Sequence, residues 1–107
     1  REKDLIIKGG VNILPGEIEE VIFKLKNVKS VAVIGVPHKL FGEEIVAFVE
    51  KKDNSLEKED IINISAESLQ TLKRPYKIIF IDSMPIGPSG KILKRKLREQ
   101  FNETLNI

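Results

Sequence analysis

Cysteine is absent from this 107-residue sequence, so it can form neither a disulfide framework nor a thiolate metal site. That fits a reducing compartment, and a cytoplasmic location is expected. With His38 as its one histidine, the chain cannot assemble a histidine-based metal cluster, and no metal site is expected in it. A large excess of one charge is also missing: 18 basic against 16 acidic residues leave a net charge of +2, too little to imply a polyanion partner. The apolar runs fall well short of the roughly 20 residues a membrane helix needs, and no charged segment followed by an apolar one opens the sequence as a signal peptide would. No membrane span and no nucleic-acid partner are therefore expected. Internal repeats and low-complexity stretches are lacking too, and the length suits a single small domain, residues 1–107, with one core.

The most telling feature present is Met84-Pro85-Ile86-Gly87-Pro88-Ser89-Gly90-Lys91, a Pro/Gly stretch expected to be mobile. Before it, Ile78-Ile79-Phe80-Ile81 is a short β-branched apolar run that reads as a buried strand. After it, Leu93, Leu97 and Phe101 recur at i, i+4 and i+8, the stripe of an amphipathic helix. Lys91 thus sits at a loop–helix junction. The pattern fails as a phosphate-binding P-loop, because only Pro88 and Ser89 separate Gly87 from Gly90 and Ile92 stands where a hydroxyl should bind magnesium. From the loop alone, a solvated lysine opening a surface helix remains the competing interpretation.

A second segment carries more. Leu5-Ile6-Ile7 and Val11 to Leu14 are short strands, joined by Gly9-Gly10, which can supply the positive φ values of a tight hairpin. Pro15 suits a first helical turn, and Ile18, Val21, Ile22 and Leu25 then form one apolar face, with Glu17, Glu19 and Glu20 near the positive end of the helix dipole. Further on, Val31–Val36 and Ile45–Val49 read as strands joined by a Pro37-to-Gly42 loop that is long for a hairpin. Ser55 or Asn54 can cap a helix over about 57–72, with Ile62, Ala66 and Leu69 on one face. The order is hairpin, helix, strand, strand, helix, strand, helix. It predicts an α+β fold: a small mixed sheet plus an N-terminal β-hairpin, covered by about three helices.

Three other groups of residues invite functional readings. His38 titrates near neutrality but has no orienting partner at recognisable spacing, so it reads as a solvated loop residue. Glu43 and the pair Glu17/Glu19 can be imagined as acid–base carboxylates, though helix-end electrostatics and solvation explain them more simply. The cluster Lys91, Lys94, Arg95, Lys96 and Arg98 lacks interleaved aromatics for base stacking and reads as a solvated helix face, with phosphate contacts to a nucleotide as the alternative.

Taken together, the ordered motifs Arg1-x-Lys3-Asp4, Gly9-Gly10-x-Asn12-Ile13, Glu17-Ile18-Glu19, Val33-x-Gly35-Val36-Pro37, Gly42-Glu43, Ala47-Phe48-Val49 and Pro85-x-x-x-Ser89-Gly90-Lys91 form one pattern. It resembles the C-terminal domain of the adenylate-forming enzymes, the AMP-dependent synthetases and ligases, over about residues 1 to 101. The Gly-Gly and Ser-Gly-Lys forms are most similar to acyl-CoA and aryl-CoA ligases. A departure lies at Lys73-Arg74-Pro75: the family often has an aromatic before this lysine, whereas Leu72 stands there and Tyr76 follows the proline, leaving any ligand role of Tyr76 unassigned.

The resemblance implies an enzyme that activates a carboxylic acid, such as a fatty acid, with ATP and passes the acyl group to CoA. Lys91 matches the adenylation lysine, with Pro85, Ser89 and Gly90 supporting its loop. Lys3 matches the hinge about which the domain swings. Arg1 matches an arginine near the nucleotide ribose, and Lys8, Gly9, Gly10 and Val11 match the loop lining the pantetheine channel. ATP and CoA are then substrates, and Mg2+ binds outside this domain. The partner is an N-terminal domain of the same polypeptide, which holds the nucleotide and acid sites and is absent from this sequence. The isolated fragment is accordingly expected to be inactive, and acetylation of Lys91 is expected to silence adenylation. Transfer to a carrier protein, or a non-catalytic module of the same fold, are the alternatives.

Overall fold

A computed structural model describes the backbone of residues 5–105 and the side chains of residues 5–101. Alternating apolar residues and the Gly9-Gly10 turn build the first hairpin, β1 (Ile6–Lys8) against β2 (Val11–Ile13), with φ of +57° at Gly9 and +82° at Gly10. Only glycine adopts two such values in succession without a steric penalty. Helix α1 (Pro15–Phe23) follows, opened by Pro15 and burying Pro15, Ile18, Val21 and Ile22.

The long hairpin β3 (Val28–His38) and β4 (Gly42–Lys51) exceeds the predicted strands at both ends. Its turn is only Lys39-Leu40-Phe41, closed by His38, whose Nδ1 accepts the N–H groups of Leu40 (3.2 Å) and Phe41 (3.3 Å). The predicted solvated loop histidine is thus a turn-capping residue. Helix α2 (Lys58–Ser68) crosses to β5 (Lys77–Ile81), which pairs in parallel with β4, so the sheet is mixed with order β3-β4-β5. The Ile78–Ile81 strand is half-buried at the sheet edge rather than buried. Helix α3 (Lys94–Leu105) closes the chain.

Two expectations for α2 are corrected. The helix opens at Glu57, whose N–H is accepted by the Asp60 carboxylate at 2.9 Å, and not at Ser55 or Asn54; those two belong to a turn in which the Asp53 carboxylate accepts the Ser55 N–H. Its inward stripe is Ile61, Ser65 and Leu69, while Ile62 and Ala66 are exposed.

The sheet separates two apolar layers. On one side β1, β2, α1 and α2 pack Ile6, Ile13, Ile18, Ile22 and Ile61 against Val31, Val33, Ile45, Ala47 and Val49. On the other, Met84, Ile92, Leu97 and Phe101 cover Ala32, Ile34, Val36, Val46 and Phe48. Residues 31–34 and 45–49 are therefore buried on both faces, which is why they read as continuous apolar runs instead of alternating ones.

Candidate functional site

The stretch before Lys91, expected to be mobile, folds as a closed hairpin. Ile86 and Ile92 form an antiparallel bridge, the Gly87 N–H donates to the Lys91 carbonyl at 2.8 Å, and the Gly90 N–H donates to the Gly87 carbonyl at 2.9 Å. Pro88 supplies the fixed φ that suits the second position of a turn, and Gly90 the left-handed residue after it (φ +85°). Each root of this hairpin is tied by a carboxylate. At the entry Glu50 Oε1 accepts the Met84 N–H at 3.1 Å; just beyond the exit Lys94 Nζ lies 2.9 Å from Glu19 Oε2. Lys91, Ser89 and Gly90 are exposed at the tip, and Pro85 is half-buried with its carbonyl accepting the Leu93 N–H at 2.8 Å.

Glu50 gathers several donors. Partial burial works against its charge, but the Met84 N–H, the Lys29 ammonium at 3.2 Å and the Ser30 hydroxyl at 3.1 Å outweigh that effect and hold its pKa below the ordinary value of 4.5.

The Gly9-Gly10 turn is fixed just as firmly. Gly9 N–H donates to the Phe41 carbonyl at 2.8 Å, Ile7 N–H to Glu43 Oε1 at 2.8 Å, and Lys8 Nζ makes a buried ion pair with Glu44 at 3.0 Å while donating to the Leu72 carbonyl at 3.1 Å. Gly9, Gly10 and Val11 are exposed, and a Cβ on Gly10 would meet nothing within 4 Å. Lys8 differs from them: its ammonium points into the molecule, so its main chain is what it can offer a channel. Arg1 and Lys3 lie outside the described residues.

Beside this turn stands an aromatic shelf not identified as a unit from the sequence. The His38 ring stacks on Phe41 with centroids 5.3 Å apart and meets Tyr76 edge-on at 5.7 Å, and both Phe41 and Tyr76 are well exposed. Exposed aromatics in two strand-end segments are a weak signal when their sequence positions are 35 apart.

The carboxylates considered for acid–base work are spoken for. Glu17 and Glu19 point away from each other, as residues two apart on a helix must, and pair with Lys73 (2.9 Å) and Lys94; Glu43 caps the β1 edge. Arg74 bonds the Leu69 and Ala66 carbonyls at the end of α2. Among the described residues no group of three or more His, Cys, Asp or Glu side chains could hold a metal ion, and no helix is long and apolar enough to cross a membrane.

The two candidate elements are rooted near different ends of β4. The glycine turn docks at the Gly42 end of β4, on the layer that holds α1 and α2; the entry to the lysine hairpin is anchored at Glu50, on the α3 layer. Eight residue-to-residue steps along β4 separate those anchors, about 27 Å at a strand's rise per residue, in a body whose longest extent is 36 Å.

This fold is that of the C-terminal domain of adenylate-forming enzymes: residues 17–91 match the family described as the AMP-binding enzyme C-terminal domain, and the chain belongs to it. It is 43% identical over 105 residues to the long-chain-fatty-acid–CoA ligase FadD13 of Mycobacterium tuberculosis, covering 98% of this chain and 21% of that protein. It is 42% identical over 100 residues to the long-chain-fatty-acid–CoA ligase of Haemophilus influenzae, covering 94% and 18%. Among solved structures, a Mycobacterium tuberculosis fatty acyl CoA synthetase superposes with a TM-score of 0.91 at 43% identity, over 97% of this chain and 21% of that one. ATP-bound MatB from Rhodopseudomonas palustris gives 0.88 at 39% identity, over 94% and 20%. The chain thus spans about a fifth of the length of these relatives.

Proposed function

We propose that this chain is the mobile C-terminal domain of an acyl-CoA synthetase, supplying Lys91 for ATP-dependent acyl-AMP formation and the Gly9-Gly10 turn for the thiol step that follows. In the first step a carboxylate attacks the α-phosphate of ATP, bringing two anions together while charge moves toward pyrophosphate. An ammonium on a hairpin tip offsets that repulsion and aligns the attack. Mg2+, bound outside this domain, would supply further charge neutralisation. In the second step a narrow pantetheine arm needs backbone without side chains, which Gly9 and Gly10 provide.

The observation that carries this reading is that the two loops are rooted apart, the glycine turn on Phe41 beside the Gly42 end of β4 and the entry to the lysine hairpin on Glu50 near its other end. Elements so far apart on one rigid body serve a single reaction centre only in turn, so the domain must reorient between steps. A swing about Lys3, with Arg1 near the nucleotide, accommodates this. The partner is then an N-terminal domain of the same polypeptide that holds the ATP and acid sites, and the names of the relatives favour a fatty acid as the acid.

CoA is favoured over a carrier protein as acceptor because of the Phe41–His38–Tyr76 shelf. CoA ends in an adenine that stacks on exposed aromatics, whereas a carrier-bound pantetheine arm does not. A non-catalytic module would have no need of an exposed lysine on a tied hairpin.

The test separates the half-reactions in the full-length enzyme, using acetate, palmitate and benzoate as acids. Lys91→Ala is expected to lower ATP–pyrophosphate exchange about 10²- to 10³-fold while sparing thioester formation from supplied acyl-AMP. Gly10→Leu, which projects a side chain into open space and also strains a backbone at φ +82°, is expected to do the reverse, with the loss read at a temperature well below the variant's Tm. Equal losses in both steps for both variants would assign these residues to folding alone.

A further inference from the structure

Helix α3 begins badly by electrostatic standards. Its first three residues are Lys94, Arg95 and Lys96, with no acid in the first turn, where the unpaired N–H groups already concentrate positive charge. A local choice that opposes the helix dipole marks a position held for another reason. Lys94 is the one of the three drawn in from solvent: its side chain is 18% exposed and its ammonium meets Glu19 Oε2, itself 25% exposed, at 2.9 Å.

That same Oε2 accepts the backbone N–H of Val33 at 2.8 Å. Val33 is fully buried in β3, and β3 is an edge strand, so this N–H has no neighbouring strand to bond and fixes the carboxylate against the sheet. Lys94 is thereby referenced to the buried edge of the sheet. Between Lys94 and Lys91 the chain has little freedom, because Ile92 bridges Ile86, the Leu93 N–H bonds the Pro85 carbonyl, and Leu93 packs under Gly87, where a Cβ would meet it at 3.0 Å.

We infer that Glu19 and Lys94 are positioning residues that set where the Lys91 ammonium stands for adenylation. This rests on the reading of Lys91 given above. After a rigid-body swing the ammonium must arrive within a fraction of an ångström of its working place, and a hairpin tied to the sheet through Val33–Glu19–Lys94 carries it there; one tied only at Met84 can pivot. The Glu50 anchor holds the entry and the Glu19 anchor the exit, so both strands of the hairpin are fixed.

The experiment uses the full-length enzyme with whichever of acetate, palmitate and benzoate the wild type activates fastest. Lys94→Met and Glu19→Gln are each expected to lower the kcat of ATP–pyrophosphate exchange about 10- to 100-fold, the scale set by ångström misplacement of a reacting group, with the KM of ATP and acid little changed. Thioester formation from supplied acyl-AMP should stay close to wild type, and the adenylation loss should persist well below each variant's Tm, since removing one partner of a pair this withdrawn from solvent lowers the Tm by itself. Lys94→Arg, which keeps the charge and reach, should recover most of the activity.

Equal loss in both half-reactions, or loss that tracks Tm, would overturn the proposal by making the pair merely structural. Loss in Lys94→Met without loss in Glu19→Gln would overturn it by placing Lys94 on the substrate itself. Lys91→Ala, run alongside, separates the two levels: if it keeps full adenylation, the assignment of the loop falls and this inference with it; if it loses adenylation while Lys94→Met does not, only this inference falls.

Discussion

Glu50 accepts from Met84 and Ser30 and pairs with Lys29; the ion pair needs the carboxylate charged, and both hydrogen bonds are stronger when it is. Its folded pKa is depressed below the ordinary 4.5, so its contribution to stability is fully present above that value and is lost as pH falls through the folded pKa. Asp53 adds to the same acid limb: the Ser55 hydroxyl and N–H lower its pKa. We expect Glu50→Gln to lower the Tm at neutral pH and to flatten its decline as the pH falls below 4.5, measured by thermal melts at each pH. An unchanged slope would assign the acid sensitivity to other groups. Because Glu50 also anchors the entry to the lysine hairpin, Glu50→Ala, which removes the acceptor that Gln keeps, is a way to loosen that root without touching the sheet's apolar faces.

At the scale of elements, the β3–β4 turn is where packing and function meet. His38 spends its Nδ1 on capping the turn, which holds Phe41 with its carbonyl toward Gly9 and its ring against His38, and Tyr76 enters from the segment before β5, its N–H donating to the Ile45 carbonyl at 2.7 Å. The shelf and the glycine turn are therefore one structural unit. If the shelf holds the adenine of CoA, Phe41→Ala should raise the KM for CoA by about 10-fold or more, since stacking of a base on an aromatic is worth about 1 to 3 kcal/mol. The KM for pantetheine, which lacks the nucleotide, should not move. Equal rises for both thiols would show that Phe41 acts through the Gly9 contact instead.

For the whole molecule, the division of labour has a plain consequence. The domain packs two apolar layers about a mixed sheet, and on the function proposed above it brings an ammonium and a backbone turn to chemistry whose nucleotide and acid sites lie in an N-terminal domain. The isolated 107-residue chain is expected to unfold cooperatively in a thermal or denaturant melt and to catalyse no ATP–pyrophosphate exchange with any of the three acids. Exchange well above background by the isolated domain would mean that a nucleotide site has been overlooked in it.

What was legible in the sequence was what short-range sterics and periodicity decide. Gly9-Gly10 announces its turn because two consecutive left-handed residues tolerate little else, and Leu97 and Phe101 their burial because they repeat at one helical face; the Pro88-Ser89-Gly90 stretch read as mobile, and only the Ile86–Ile92 bridge shows it closed. The family pattern likewise lies in linear spacings. Where two choices were locally equal, only the tertiary structure decided: α2 carries both an Ile61–Ser65–Leu69 stripe and an Ile62–Ala66–Leu69 stripe, and the sheet it meets selects the first, even though Ser65 brings in a hydroxyl without a hydrogen-bond partner. The Val33–Glu19–Lys94 tie, the inward turn of Lys8, the aromatic shelf and the distance between the two loops were invisible for a common reason. Each joins residues brought together by the packing of separate elements, and charge or aromaticity at a position does not say which distant group it will meet.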